Sequence, residues 1–537
     1  MKLYENNIFY YILLIVFIYI FGSLFYTSSF GPGDDLLFLQ IFENGNFFQL
    51  LNDFFLSKTH LFERPISVFF IGLIHFVFEK NLQLYLLLFF VSFLLTNFLI
   101  YKSLKSLINQ RILKTFLILS LTPFLTSSYL QSPYLLAEFI LPVLFWSVSF
   151  YFLTFSLKNK KEFFLLSNFF LLISLFCTVI SFPLFILNLF LPLIYWRKNF
   201  SLNKYFFKIF FPLIIIFLIY FGYLKFINFL FNSTTYGSSS LSLDSFLKGV
   251  YFFLTIFIEF PIMIVKSLLF SNLFQFLFIL TLVSAFFILL KKESIKKNCM
   301  FDHYDNKLFL IILLLSLSAN FLIFFLSGYP SVTYGYYNRM LISAFISLTL
   351  ILAILLNLKH NLFFLILKII FVTLILNSSK VISNQIVEID LLKKKEISLL
   401  SSSLKSYNSQ NSKKVLVAKL PLYLDNNYNN LEVFWLTWDL AAILKNENLN
   451  FFQSFPISDQ VLKFEGYHPS VNFFNYLDKL REENIISYIF IENGKILEFQ
   501  TLGFFLNFLE AKKKIDVKLI YRETFRSKLK DFIKSFN

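Results

Sequence analysis

Two adjacent carboxylates, Asp34 and Asp35, follow the first apolar run of the chain and stand beside Gly31 and Gly33. Ionised carboxylates close to apolar lipid are costly, so they need either a stabilising partner or a role in chemistry. A carboxylate in this place can orient and deprotonate an acceptor hydroxyl. It can equally cap a helix that begins at Leu36, where the helix dipole favours the second acid. The two roles are compatible, and both remain open.

Three basic residues and a tyrosine form a second set of candidates. Arg64 stands directly before Pro65, and Lys80 follows the same short apolar segment. Arg339 comes two residues after Tyr337, at the start of a later apolar run. Positioned Arg and Lys side chains stabilise negative charge on a departing phosphate, most effectively where water is partly excluded. Alternatively, the two arginines have no role in phosphate binding. Arg64 then lies near lipid headgroups, and the long side chain of Arg339 extends to the membrane surface beside the tyrosines of an aromatic belt.

Glu138 lies near the outer end of a predicted membrane span, and an intramembrane carboxylate is a functional candidate by default. The five histidines show no His-x-x-x-His spacing, so no metal site is predicted. Cys177 and Cys299 lie far apart, and no disulfide is predicted either. The chain contains no Walker loop and no Gly-rich dinucleotide fingerprint, which argues against a nucleotide-driven pump.

The composition places these residues in a membrane protein. The 537-residue chain is 57% hydrophobic with a mean hydropathy of +0.69, whereas soluble domains are about 45–50% apolar. The net charge of +16 would suggest nucleic-acid binding in a soluble domain, but many lysines here form short clusters between apolar runs. Membrane topology explains that pattern, so no nucleic-acid partner is predicted. The joint enrichment of Phe, Lys, Ile and Asn suggests an A·T-rich bacterial genome and therefore a bacterial inner membrane.

The apolar runs predict a polytopic, mainly α-helical bundle. A hydrocarbon core about 30 Å thick requires roughly 17 to 25 apolar residues per helix. Runs near that length predict about eleven spans, at residues 8–26, 82–101, 115–130, 134–157, 163–179, 181–196, 209–231, 267–290, 308–327, 340–357 and 361–378.

The distribution of basic residues predicts a cytoplasmic N-terminus. In that orientation the cytoplasmic segments hold 18 Lys or Arg residues and the opposite segments hold 6. Two apolar stretches are not counted as spans. Pro65–Phe78 is too short, and counting Val250–Lys266 would place a basic cluster around Lys291 on the outside. Both are predicted to lie in the outer interface without crossing the membrane.

The polar composition of residues 379–537 predicts a separate, water-exposed domain that follows a membrane domain at 1–378. Lys414–Lys419 and Ile486–Ile491 resemble buried strands, Asn493-Gly494 is typical of a hairpin turn, and Asn472–Glu483 of a helix. A small mixed α/β domain is expected, and eleven preceding spans place it outside the cytoplasm.

The order of these features resembles the GT-C superfamily of integral-membrane glycosyltransferases, which includes protein O-mannosyltransferases, lipid A aminoarabinose transferases and phage serotype-converting glucosyltransferases. The resemblance covers the span arrangement over roughly residues 1–378. The local matches are short, and their order and sidedness carry the resemblance; they are Gly33-Asp34-Asp35, Arg64-Pro65, Glu138 and Tyr336-Tyr337-Asn338-Arg339.

The resemblance implies an acidic first-loop residue that binds the acceptor and acts as base. It implies that outer basic residues hold the phosphate of a polyprenyl-linked sugar donor, and that Glu138 positions the acceptor or the base. Some members of the superfamily use a divalent cation and others do not, and the Asp-Asp pair leaves that open. The catalytic candidates are therefore Asp34 and Asp35, and the substrate-binding candidates are Arg64, Lys80, Glu138, Tyr337 and Arg339.

The predicted activity is inverting transfer of a sugar from a polyprenyl-phosphate donor to an extracytoplasmic glycan, lipid or protein. The leaving group is already a stable phosphate, so a single base suffices and one displacement inverts the anomeric carbon. The first alternative is a lipid-linked glycan polymerase or ligase, in which essential arginines would matter more than the aspartates. The others are a transporter or flippase, and a non-catalytic membrane scaffold; a transporter often contains inverted repeats, and no convincing repeat is visible.

Overall fold

The structure is a computed structural model that describes residues 2–27, 64–78, 81–121, 136, 140–159, 163–197, 201–231, 243–292, 303–327, 341–358, 361–405, 414–420, 440, 444, 453–457, 487–505 and 507–508. These residues belong to two compact units. The division falls between Val387 and Glu388, inside one continuous helix, Leu362–Lys405. That helix also runs through the boundary at 378 and 379 that the composition suggests.

The described part of the first unit is helical, and the protein is an integral membrane protein. Among the described residues nine helices are long and apolar enough to cross a membrane: Ile8–Tyr26, Leu82–Leu104, Leu141–Lys158, Val179–Trp196, Phe206–Ile227, Ser245–Phe270, Leu273–Lys291, Asp305–Phe325 and Leu362–Leu404. Eight of them overlap predicted spans. Four shorter helices accompany them: Pro65–Phe78, Gln110–Ser120, Phe164–Cys177 and Ile342–Leu355.

One end of the first unit, called here the N-terminal end, is defined by contacts of Phe9 near the start of the chain. The rings of Phe9 and Phe286 lie 5.0 Å apart, and the ammonium of Lys114 lies 4.5 Å from the Phe9 ring centroid. The Arg111 guanidinium donates to the carbonyl of Lys291 at 3.2 Å. The end of the helix Leu273–Lys292 and the start of the helix Gln110–Ser120 therefore meet at the level of Phe9.

The opposite end, called here the Thr27 end, is where the first helical run stops. The side-chain amide of Gln83 donates to the Thr27 carbonyl at 3.4 Å, so Leu82–Leu104 begins at this end. Asn81 caps that helix by accepting a hydrogen bond from the Leu84 backbone N–H at 3.3 Å.

The helix Pro65–Phe78 has both of its ends near the Thr27 end. Near its start, the Ser67 hydroxyl donates to the carbonyl of Cys177, the last residue of Phe164–Cys177, at 2.9 Å. Near its end, His75 Nδ1 and the hydroxyl of Tyr85 share a hydrogen bond at 3.2 Å.

Ser245–Phe270 is longer than the predicted Val250–Lys266 and has the length and composition of a spanning helix. Its first part packs on the far part of the helix His303–Ser327, where the rings of Phe252 and Phe324 lie 5.4 Å apart. Its last turn contacts the long helix, where the Asn377 side-chain amide donates to the Ser267 hydroxyl at 3.2 Å.

Both of these contacts lie toward the Thr27 end. The helix Ile342–Leu355 ends at the N-terminal end, where the side-chain amide of Asn357 donates to the Thr115 hydroxyl at 3.0 Å. His303–Ser327 packs antiparallel to it, with hydrogen bonds from Ser343 to Asn320 at 2.6 Å and between Ser316 and Ser347 at 3.0 Å, so His303–Ser327 starts at the N-terminal end. Asn377 also bonds Gln275, which lies near the start of a helix whose other end reaches Lys291 at the N-terminal end. The contacts of Ser245–Phe270 are therefore those of a helix running along the Thr27 end.

The described residues of the second unit form a four-stranded mixed sheet that packs on the end of the long helix. The strands β1 (Lys414–Lys419), β2 (Gln453–Ile457), β3 (Ser487–Glu492) and β4 (Lys495–Phe499) lie in the order β2-β1-β3-β4. β1 pairs in parallel with β2 and β3, and β4 is antiparallel to β3. The buried side chains of Leu400 and Leu404 join Leu416 and Ile489 in one core.

The hairpin predicted at Asn493-Gly494 is confirmed. Both residues have positive φ values, 49° and 75°, as a two-residue turn between right-twisted strands requires. The predicted strand Lys414–Lys419 is confirmed with the same bounds, and Ile486–Ile491 agrees with β3 to within one residue. The predicted helix Asn472–Glu483 lies outside the described residues.

Candidate functional site

Arg64 is the one sequence-predicted site residue that the structure describes. The others lie outside the described residues: Asp34, Asp35, Lys80, Glu138, Tyr337 and Arg339. Arg64 is half-buried and directly precedes the helix Pro65–Phe78, and its carbonyl accepts a hydrogen bond from the Val68 backbone N–H at 3.1 Å. Proline suits the first helical position because its missing N–H would have no partner there.

Arg64 lies at the Thr27 end of the first unit. The nearest anchor is Ser67, whose hydroxyl bonds the carbonyl that closes the helix Phe164–Cys177. The ring of Phe70 packs against Phe145, 5.5 Å between centroids, near the start of Leu141–Asn159. Two neighbouring helices therefore contact the helix that follows Arg64.

A buried amide cluster occupies the Thr27 end beside the long helix. The Gln275 side-chain amide donates to Asn377 Oδ1 at 3.0 Å, and the Asn377 amide donates to the Ser267 hydroxyl at 3.2 Å. The Asn384 amide donates to Gln275 Oε1 at 3.4 Å. Asn377 and Ser267 are fully buried, so these bonds satisfy polar groups that would otherwise be costly inside an apolar bundle.

Lys380 lies one turn from Asn377 on the long helix and brings a positive charge to this end. Its ammonium donates to the Ser23 hydroxyl at 3.4 Å and lies 5.2 Å from the Tyr19 ring centroid. Ser23 in turn shares a hydrogen bond with the Ser383 hydroxyl at 3.4 Å. The side chain is only half-buried, and no carboxylate pairs with it among the residues the structure describes.

Sequence reasoning missed Lys380 because the predicted last span stops at residue 378, which left the lysine in an exposed tail. The signal that identifies it is the long helix itself, which continues without a break from Leu362 to Lys405. A lysine inside a helix that begins as a membrane span is a candidate functional residue. Its position opposite Ser23 depends on tertiary packing and has no local sequence signal.

The geometry suits binding of an anion. Arg64 and Lys380 bring two cations to the Thr27 end, and the Ser23 and Ser383 hydroxyls add hydrogen-bond donors beside Lys380. Phosphate oxygens are well matched to such donors. Among the described residues no three or more His, Cys, Asp and Glu side chains come together as a metal site.

Comparison with protein-family models finds no matching family, and a search of curated proteins finds no significant match.

Proposed function

We propose that the protein is an inverting glycosyltransferase of the bacterial inner membrane. It transfers a sugar from a polyprenyl-phosphate carrier to an extracytoplasmic glycan, lipid or protein. One observation supports this best: the first helical run stops at the same end of the bundle as Arg64, and Asp34 follows Thr27 by seven residues. A candidate base and a candidate phosphate ligand are thus connected to the same end.

The proposed orientation places the Thr27 end outside the cell. The N-terminal end carries the basic segments around Arg111, Arg197 and Lys291. Lys and Arg in short loops favour the cytoplasmic side, so this end is inside. If Pro65–Phe78 and Ser245–Phe270 lie in the outer interface, eleven spans carry residues 379–537 to the outside as well.

In the proposed reaction one of Asp34 and Asp35 accepts the proton of the acceptor hydroxyl as that oxygen attacks the anomeric carbon. The bond between the anomeric carbon and the phosphate oxygen breaks, and the electron pair leaves with the phosphate. Arg64, Arg339 and Lys80 stabilise this charge, Tyr337 and Glu138 contribute to substrate binding, and attack from the opposite face inverts the configuration. The acidic pair leaves the use of a divalent cation open.

The double variant Asp34→Asn, Asp35→Asn tests the proposal. Purified wild-type protein and the variant are reconstituted with a polyprenyl-phosphate sugar and candidate acceptors, and covalent product is measured by mass spectrometry. The proposal predicts no transfer by the variant at unchanged thermal stability. Full activity in the variant would favour a polymerase or ligase that depends on arginines, and movement of the lipid without covalent product would favour a flippase.

A further inference from the structure

Lys380 is the starting point for a further binding site. Its ammonium contacts the Ser23 hydroxyl and the Tyr19 ring, and within the described part of the chain no carboxylate neutralises it. A hydroxyl and an aromatic face stabilise a cation only partly, and charge close to lipid is costly when it is unpaired. An anionic ligand would supply the missing charge.

The hydrogen bonds around Lys380 are weak enough for a bound anion to replace them. The Lys380–Ser23 and Ser23–Ser383 contacts are both 3.4 Å, at the weak limit for hydrogen bonds. An oxyanion placed between the three groups would replace two weak contacts by shorter, charge-assisted ones. Ser23 and Ser383 can each donate a hydroxyl hydrogen, and Lys380 has three N–H donors.

An apolar surface flanks the same position. The ring of Tyr19 packs on Phe278, 4.6 Å between centroids, and this contact between the first helix and Leu273–Lys292 is called here the Tyr19–Phe278 seam. Lys380 lies next to the seam, because its ammonium contacts the Tyr19 ring. The two helices that carry these rings expose apolar side chains, among them Leu14 at 52%, Ile18 at 57% and Leu277 at 45%. A lipid tail can lie on such a surface while its headgroup reaches the lysine.

We infer that Lys380, Ser23 and Ser383 form a binding site for the phosphate headgroup of a membrane lipid, with the tail along the Tyr19–Phe278 seam. That this lipid is the polyprenyl-linked sugar donor rests on the proposed function. The same phosphate chemistry occurs in ordinary anionic phospholipids and in free phosphate, so the test separates these three sources.

The test measures lipid binding to the purified full-length chain in neutral phosphatidylcholine nanodiscs by native mass spectrometry. The probes are a polyprenyl monophosphate, the corresponding uncharged polyprenol, phosphatidylglycerol and inorganic phosphate. Lys380→Gln removes the charge, Lys380→Arg retains it, and Ser23→Ala removes one donor. Lys225→Gln is the matched control, because it removes one exposed charge from a different helix, Phe211–Phe231.

We expect Lys380→Gln to weaken polyprenyl-phosphate binding about 10- to 100-fold, and Ser23→Ala to weaken it less. Lys380→Arg and Lys225→Gln should bind as the wild type does, and polyprenol binding should not respond to any of the four. If Lys380→Gln does not fold, Ser23→Ala compared with Lys225→Gln still decides the result.

Unchanged affinity for every phosphate probe in Lys380→Gln and Ser23→Ala would overturn the site. If polyprenyl phosphate binds independently of Lys380, the site is wrong while the proposed donor stands. If only phosphatidylglycerol binds in a Lys380-dependent manner, the lipid site stands and the proposed donor falls. If only inorganic phosphate does, the lipid site falls as well.

Discussion

The ammonium nitrogen of Lys380 lies 3.4 Å from the hydroxyl oxygen of Ser23, although 357 residues separate the two in sequence. This contact joins the last turns of the first helical run to the long helix. Thr27, which follows Ser23 by one turn, is the last described residue before Asp34 and Asp35 in the sequence. The lipid-phosphate site inferred above depends on the contact between Lys380 and Ser23.

Arg64 should contribute to donor binding. We expect Arg64→Gln to raise the KM for a polyprenyl-phosphate sugar about 10-fold or more, since a charge-assisted hydrogen bond to phosphate contributes about 1.5–3 kcal/mol. Arg64→Lys should recover part of the loss. Lys102→Gln, which removes an exposed charge from the other end of Leu82–Leu104, is the control and should leave KM unchanged. Equal KM values for Arg64→Gln and wild type would remove Arg64 from the site.

Gly249 should be essential to the packing of Ser245–Phe270. A Cβ at this position would lie 2.5 Å from Phe321 Cε2, and Phe246 and Phe253 surround the Phe321 ring at 5.8 and 6.1 Å between centroids. We expect Gly249→Ala to destabilise the protein by about 1–3 kcal/mol through overpacking.

The matched control for Gly249 is Gly222→Ala, where no atom lies within 4 Å of the added Cβ. This change should leave the protein as stable or raise its stability by up to about 1 kcal/mol, because alanine favours the helix. Thermal unfolding of both variants in the same detergent measures the difference. Equal melting temperatures would mean that Ser245–Phe270 does not pack on Phe321 in this way.

Asn188 should stabilise the contact between the helices Leu141–Asn159 and Phe185–Trp196 of the first unit. The Trp146 indole N–H donates to Asn188 Oδ1 at 3.0 Å, and the Asn188 amide donates to the Ser149 hydroxyl at 3.1 Å, all of them buried. Asn188→Leu leaves the indole N–H without this partner, and we expect the free energy of unfolding to fall by roughly 1–3 kcal/mol. Thermal unfolding followed by tryptophan fluorescence measures it, with Val179→Ala, at an exposed position, as control. A melting temperature equal to that of wild type would show that the bond contributes little.

The hairpin of the second unit should depend on Gly494. Its φ of +75° is unfavourable for residues with a Cβ, and an added Cβ would lie 3.1 Å from the Ser403 hydroxyl. We expect Gly494→Ala to lower the free energy of local opening of the β3–β4 hairpin by about 1–2 kcal/mol. Amide hydrogen exchange in β3 and β4 should then be faster. Gly503→Ala is the control, since its Cβ would meet nothing within 4 Å. Unchanged exchange in β3 and β4 would argue against this turn geometry.

Local sequence signals predicted the elements, but they could not predict the contacts between them. Of the nine long helices among the described residues, apolar runs predicted eight as spans, because membrane thickness fixes the length of a spanning helix, and the ninth as the shorter stretch Val250–Lys266. The length of Ser245–Phe270 was underestimated, since polar residues such as Ser245 mark no clear helix boundary. The partners of Gly249 and Lys380 lie in distant helices, and only packing brings them together. Asp34, Asp35, Lys80, Glu138, Tyr337 and Arg339 remain sequence predictions.

The most direct test of the account is the side of the membrane that the acidic pair faces. In a chain with Cys177 and Cys299 replaced, Asp35→Cys is treated in intact cells with a membrane-impermeant maleimide, and Ser294→Cys in the basic loop serves as the opposite-face control. The account predicts labelling at position 35 in intact cells and labelling at position 294 only after permeabilisation. Labelling at position 35 only after permeabilisation would contradict an outward-facing glycosyltransferase.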